Sequence, residues 1–171
     1  MKAYQNIKLT ILFSLIGMIG IAQEEIRWID FQAAVQATQI SPKKIYIDFY
    51  TDWCGWCKKM DASTFTDSTI IDYMNKNYYC VKFNAESHDT YTYQGKTYTY
   101  KPESRANELA VFLLNGKLQY PTTVFLNERA NLIQPLPGYQ TPEILIIILK
   151  YFATDAFTRI SWEDYQKKES K

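Results

Sequence analysis

Apolar and polar residues change their period several times along this chain, and each change predicts an element. From Glu24 to Gln39 the apolar positions Ile26, Ile29, Phe31, Ala34, Val35 and Ala37 fit a helical stripe, which Ser41-Pro42 ends because proline disfavours helix in the residue before it. Ile45 to Tyr50 is instead a short, nearly continuous apolar and aromatic run, as expected of a central strand covered on both faces. Cys54-Gly55-Trp56-Cys57 then opens a helix at the carboxyl end of that strand. A helix over Ser68–Asn77, capped by Asp67 or Thr66, and a strand over Tyr78–Asn84 follow.

The stretch from Glu86 to Pro102 breaks the pattern. Tyr91, Tyr93, Tyr98 and Tyr100 alternate with polar residues, and Gly95-Lys96 suits a type II′ hairpin turn that pairs Tyr93 with Tyr98 and Tyr91 with Tyr100, all four rings on one face. A helix is expected over Ser104–Asn115, capped near Pro102 to Ser104 and stopped by Gly116. Two strands, Thr122–Leu126 and Leu132–Leu136, flank a turn at Asn127–Asn131. Thr141-Pro142-Glu143 begins a strongly apolar helix to about Phe157, and a short helix is expected from Ser161. This order implies an α/β fold with a mixed central sheet, helices on both faces and an inserted tyrosine-rich hairpin at 86–102. The strands before the cysteines and before the insertion should run parallel, so their loops should leave one edge together. That placement predicts a hairpin that borders the cysteines and helps select substrates.

Length allows one such domain, placed at 23–157, with a charged tail at 158–171. Residues 1–22 read as a secretory signal peptide: Lys2 and Lys8 are its basic region, Leu9 to Ile21 its apolar core, and Gly20 and Ala22 supply small residues for cleavage. That apolar run of about 13 residues is shorter than the roughly 20 a membrane span requires. The expected location is therefore periplasmic or otherwise exported, where disulfides form and persist. Removing Lys2 and Lys8 from the 19 basic residues leaves 17 against 18 acidic ones, a net charge of −1, which gives no field to attract nucleic acid. The chain is expected to act as a monomer.

The chemistry concentrates in Cys54 and Cys57. Two cysteines at this spacing can close a disulfide, and a thiol at a helix start meets unpaired backbone N–H groups and a dipole that favour the thiolate. Cys54 is thus the expected nucleophile and Cys57, one turn deeper, the resolving thiol. Zinc sites and inert structural disulfides use the same spacing. Zinc would need four ligands, and the remaining thiol and imidazole are Cys80 and His88; no metal is expected. Cys80 reads as a buried apolar thiol on a strand and His88 as a loop residue.

The block Asp48-Phe49-Tyr50-Thr51-Asp52-Trp53-Cys54-Gly55-Trp56-Cys57-Lys58 has an acid six residues before the first cysteine and a tryptophan directly before it, and Tyr120-Pro121-Thr122 precedes a strand. These features resemble the active-site block and the cis-proline loop of the thioredoxin superfamily. Order and spacing agree from about Glu24 to Phe157. Among its branches, exported bacterial thioredoxin-like proteins of the thiol-disulfide interchange type with a long insertion look most similar.

The resemblance implies that Asp48 is a buried carboxylate that takes the proton of Cys57, that Lys82 lies near it, and that Pro121 is cis and presents the backbone of Tyr120 to a substrate. Trp53 and Trp56 would form an apolar rim around the reactive sulfur, and Lys58 would favour the thiolate. Trp56 stands where the best-known members carry proline. The expected function is reduction of protein disulfides by the Cys54–Cys57 dithiol with no separate cofactor, a membrane-embedded thiol reductase supplying electrons. The alternatives are an oxidase or isomerase, or a redox-inert module that binds a client protein.

Overall fold

The computed structural model describes residues 24–169. The leader expected at 1–22 lies outside them. A five-stranded sheet organises the chain: β1 (Trp28–Ile29), β3 (Tyr78–Asn84), β2 (Lys44–Tyr50), β8 (Thr122–Leu126) and β9 (Leu132–Pro137), in that spatial order. β1, β3 and β2 run parallel, whereas β8 is antiparallel to both β2 and β9.

The central strand explains the layers. Alternate side chains of β2 leave opposite faces, so Ile45, Ile47 and Phe49 join one apolar core and Tyr46 the other. Helices α1 (Phe31–Ile40) and α4 (Glu108–Leu113) cover the first face, and α2 (Gly55–Ser63), α3 (Ser68–Asn77) and α5 (Pro142–Ala153) cover the second. At the start of β2 the buried Lys44 ammonium meets Glu128 at 2.5 Å and Asp155 at 2.9 Å. Burial acts to lower its pKa, but the two carboxylates more than offset that and leave it raised. Cys80, on β3 beside Trp28 and Tyr46, is buried, and burial pushes its thiol up to about 12.

Three sequence expectations need correction. The single helix over Glu24–Gln39 is β1 followed by α1, because the Asp30 carboxylate accepts the N–H groups of Gln32 and Ala33 and starts the helix there. The helix over Ser104–Asn115 shrinks to α4. Tyr100–Lys101 (β6) pairs with Ala106–Asn107 (β7), and the cap is Asn107, whose Oδ1 accepts the Leu109 N–H. Its Nδ2 donates to the carbonyls of Ser87 and Asp89 and ties down the root of the insertion. Finally, α5 ends at Ala153, where the chain turns through Asp155 at φ 55°. The charged tail is not free: α6 (Trp162–Glu169) packs on α5 through buried Tyr165, 5.0 Å from Tyr151 between ring centroids.

The tyrosine hairpin differs most from expectation. β4 (Tyr91–Tyr93) and β5 (Lys96–Tyr98) turn on Gln94-Gly95, both at positive φ, one residue earlier than predicted; Tyr91 faces Tyr98, and Tyr100 leaves for β6. Tyr91, Tyr93 and Tyr98 are buried, with Tyr91 and Tyr93 edge-on to Phe31 at 6.0 and 5.6 Å. The Tyr93 hydroxyl donates to the Ala130 carbonyl at 2.6 Å, and Gln94 reaches Asn131. The 127–131 turn sits beyond Leu126, which pairs with Ile45 at the start of β2, so the hairpin tip lies at the end of the sheet opposite the cysteines. The hairpin therefore covers the α1–α4 face rather than bordering the cysteine pair. Tyr93→Ala should lower stability by about 3–5 kcal/mol in urea unfolding, and exposed Thr97→Ala by no more than about 0.5 kcal/mol. Equal small losses would remove the hairpin from the core.

Candidate active site at the end of the central strand

The buried strand β2 stops at Tyr50, and the Thr51 carbonyl accepts the Cys54 N–H at 3.1 Å, turning the chain into α2. Cys54 is the N-cap of α2, with its Sγ accepting the Cys57 N–H at 3.1 Å, so the sulfur lies on the positive end of the helix. Cys54 and Cys57 are joined as a disulfide with Cα atoms 5.3 Å apart. Cys54 is 4% exposed and Cys57 2%, so only an edge of the first reaches the surface.

Beneath the pair lies an ion-pair cluster. Asp48 on β2 and Lys82 on β3 are in register, and the ammonium donates to Asp48 Oδ2 at 2.8 Å. Asp48 is buried, and its Oδ1 has no hydrogen-bond partner among the described residues. Burial raises the Asp48 pKa, Lys82 opposes that only in part, and nearby Asp61 adds to the rise. Lys82 also pairs with Asp61 of α2. Burial acts to lower the Lys82 pKa, but the two carboxylates more than offset it and hold the ammonium charged. The rings of Trp28, Tyr50 and Phe65, with centroids 5.3, 5.2 and 5.0 Å from Nζ, add cation–π support. Asp61 stands four residues after Cys57 on α2, so both side chains leave one helix face. The Asp61–Lys82–Asp48 chain thus links the buried carboxyl to the helix face that carries Cys57.

Above the pair stands an aromatic rim. Trp53 is 67% exposed and Trp56 58%, and each is held from the side. The Trp53 indole N–H donates to Glu86 at 2.9 Å, and its ring lies edge-on to Tyr120 at 6.0 Å. Trp56 packs 5.5 Å from Tyr139, with the Lys59 ammonium 4.9 Å from the Trp56 centroid and 5.3 Å from that of Tyr139. The Tyr120–Pro121 peptide bond is cis. Thr122 pairs with Phe49, which sets this loop beside the end of β2, and the Pro121 carbonyl accepts the Gly138 N–H at 2.8 Å, drawing in the loop that carries Tyr139. Burial, with Glu86 adding to it, pushes the Tyr120 hydroxyl up to about 12.

Cys54, Cys57, Asp48, Lys82, Trp53, Trp56, Tyr120 and Pro121 therefore gather at one end of the sheet. Lys58 does not join them: it is exposed, and its ammonium forms no hydrogen bond or ion pair among the described residues, because its position on α2 turns outward. Four residues of the site had escaped notice. Asp61 and Lys59 are detectable as the i+4 neighbour of Cys57 and the i+3 neighbour of Trp56. Glu86 follows a strand end by two residues, and Tyr139 carries no local signal. His88 lies in a loop, stacked on Tyr100 at 3.9 Å. Among the described residues, no three His, Cys, Asp or Glu side chains converge as a metal site requires.

A family model for the thioredoxin-like domain matches residues 31–153. The thiol:disulfide interchange protein DsbD of Campylobacter jejuni is 35% identical over 60 residues, which are 35% of this chain and 10% of that relative. The chain thus spans a small part of that relative's length. The solved DsbH oxidoreductase superposes with a TM-score of 0.54 at 17% identity, covering 90% of this chain and 95% of its own. A thioredoxin from Thermus thermophilus gives 0.58 at 17% identity over 77% of this chain and 89% of its own. Both similarities concern the fold.

The cluster makes stability depend on pH. A carboxyl whose folded pKa is raised binds more protons folded than unfolded, so its stabilising contribution is full below the ordinary carboxyl range and is lost as pH rises through the folded value. Asp48→Asn, which stays neutral and leaves Lys82 paired with Asp61, should be more stable than the parent at about pH 8, with the gain shrinking toward about pH 4. Urea unfolding across pH checks this; a variant less stable at the alkaline end would show that the ion pair outweighs the cost of burial.

Proposed function

Because the chain belongs to the thioredoxin-like family, we propose that it is a thiol-disulfide oxidoreductase of the bacterial envelope that reduces disulfides in protein substrates. The observation that carries this reading is a buried carboxyl with an unpartnered oxygen, linked through Lys82 and Asp61 to the helix that a disulfide opens. A disulfide serving only as a staple has no use for an acid beneath it. The interchange activity in the name of the Campylobacter relative points to the same chemistry.

The reaction starts from the dithiol. The Cys54 thiolate attacks one sulfur of the client disulfide; an S–S bond forms to Cys54, the client S–S bond breaks, and the departing client thiolate takes a proton from solvent. Cys57 then gives its proton to the Asp48 carboxylate and attacks Cys54 Sγ, closing the disulfide seen in the structure and releasing the second client thiolate. Asp48 returns its proton to that thiolate directly or through water. Two electrons have passed from the protein to the client, and the electron pair of the dithiol is the only redox equivalent needed. A carboxyl of ordinary pKa would be a poor base for a thiol of about 8.5, so the upward shift of Asp48 serves the transfer.

Tyr120 supports client binding: neither its N–H nor its carbonyl forms a backbone hydrogen bond outside regular elements among the described residues, leaving both for an extended segment. Trp53 and Trp56 supply apolar contact on either side. A membrane-embedded thiol reductase is the proposed electron donor, and export through the leader is proposed with it. The direction of flow rests on potential, near −270 mV for a reductase of the thioredoxin kind and near −120 mV for an oxidant.

Cys57→Ala should accumulate client mixed disulfides on Cys54, while Cys54→Ala should trap none. Asp48→Asn should slow resolution by about a hundredfold near neutral pH while sparing the first attack. Stopped-flow measurement of both steps between about pH 6 and 8 checks the roles; an unchanged resolving rate would leave Asp48 a structural part only.

A further inference from the structure

The rim carries charges with no ion-pair partner among the described residues, acids beside Trp53 and Lys59 beside Trp56, and Glu143 lies near enough to Tyr139 to act on its hydroxyl. On the Trp53 side stand Glu86, which accepts the indole N–H, and Asp52, whose carboxylate meets only the Asn84 amide at 3.5 Å. On the Trp56 side stands Lys59, laid over the Trp56 and Tyr139 rings. None of these three takes part in an ion pair among the described residues. Glu86 and Lys59 are also held in place, one by a hydrogen bond to Trp53 and the other by the ring faces of Trp56 and Tyr139, so their charges have fixed positions beside the two exposed tryptophans that flank Cys54 in the chain.

We infer that this rim reads charge order, favouring an extended client segment whose cysteine has a basic residue on the side that meets Glu86 and an acidic residue on the side that meets Lys59. The inference rests on the thiol-exchange reading of Cys54. A segment laid along Tyr120 in the opposite charge order brings like charges together at both ends, which costs encounter rate and affinity. Side chains held by packing lose little further freedom on binding, so the charges act with less entropic loss than on free lysines and glutamates.

The test uses the reduced full chain and synthetic peptides, each with one cysteine capped by thionitrobenzoate, whose release is coloured. One carries lysine two residues before the cysteine and glutamate two residues after; the second has them exchanged; the third has serine at both places. The two charge orders should react with second-order rates that differ by about fivefold at low salt, the serine peptide falling between. The difference should fade at about 0.5 M salt, where exposed charges are screened. Lys59→Glu should bring the ratio of the two orders near one and make a peptide with lysine at both places the best. Equal rates for the two orders, a ratio that salt leaves intact, or a ratio that Lys59→Glu leaves intact would overturn the inference. The serine peptide keeps the two readings apart: if it reacts while charge order is ignored, only charge selection fails, and if no peptide reacts, thiol exchange fails with it.

Discussion

Asp48 and Lys82 meet across two parallel strands in the middle of the sheet, and the cysteine end of the protein is built around the cost of keeping them there. A carboxyl surrounded by apolar layers is driven toward its neutral form, and one ammonium nearby does not fully reverse that drive. The ammonium is stabilised in turn by a second carboxylate from α2 and by three ring faces. Removing Asp61 or the rings would therefore alter Asp48 without touching it. The upward-shifted pKa of Asp48 is a property of this whole layer rather than of one residue.

Around that centre, every part of the rim comes from a different place in the chain, and each is tied to the next. The strand end supplies Trp53, α2 supplies Trp56 and Lys59, the root of the insertion supplies Glu86, and the loop before β8 supplies Tyr120. Gly138 binds the Pro121 carbonyl, so the loop with Tyr139 follows the cis-proline loop. These contacts hold two large apolar rings from the side while leaving them exposed.

The sequence displayed this centre better than its surroundings. The run Ile45–Tyr50, the acid within it and the cysteine pair after it are local signals, and α2, α3, β2, β3 and β8 follow from periods and caps that need no tertiary knowledge. The failures arose where long-range partners outweigh local pattern. Trp28 and Ile29 look helical until β3 is available as a neighbour, and Ala106-Asn107 forms a strand only because Tyr100-Lys101 returns to it. The alternating tyrosines indicated a hairpin, and three of the four expected rings do share one face while Tyr100 leaves for β6, but period alone does not say whether that face meets solvent or Phe31 and Phe83. Glu86 and Tyr139 were illegible for the same reason, being defined by the residues they hold.

The odd cysteine has a consequence for electron traffic. Burial pushes the Cys80 thiol up and disfavours its thiolate, and its strand is sealed between β1 and β2. A third thiol that ionised readily could invade the Cys54–Cys57 bond and scramble it. Buried Cys80 is kept apart from such exchange, so the bond between Cys54 and Cys57 can open and close without a third sulfur competing for it.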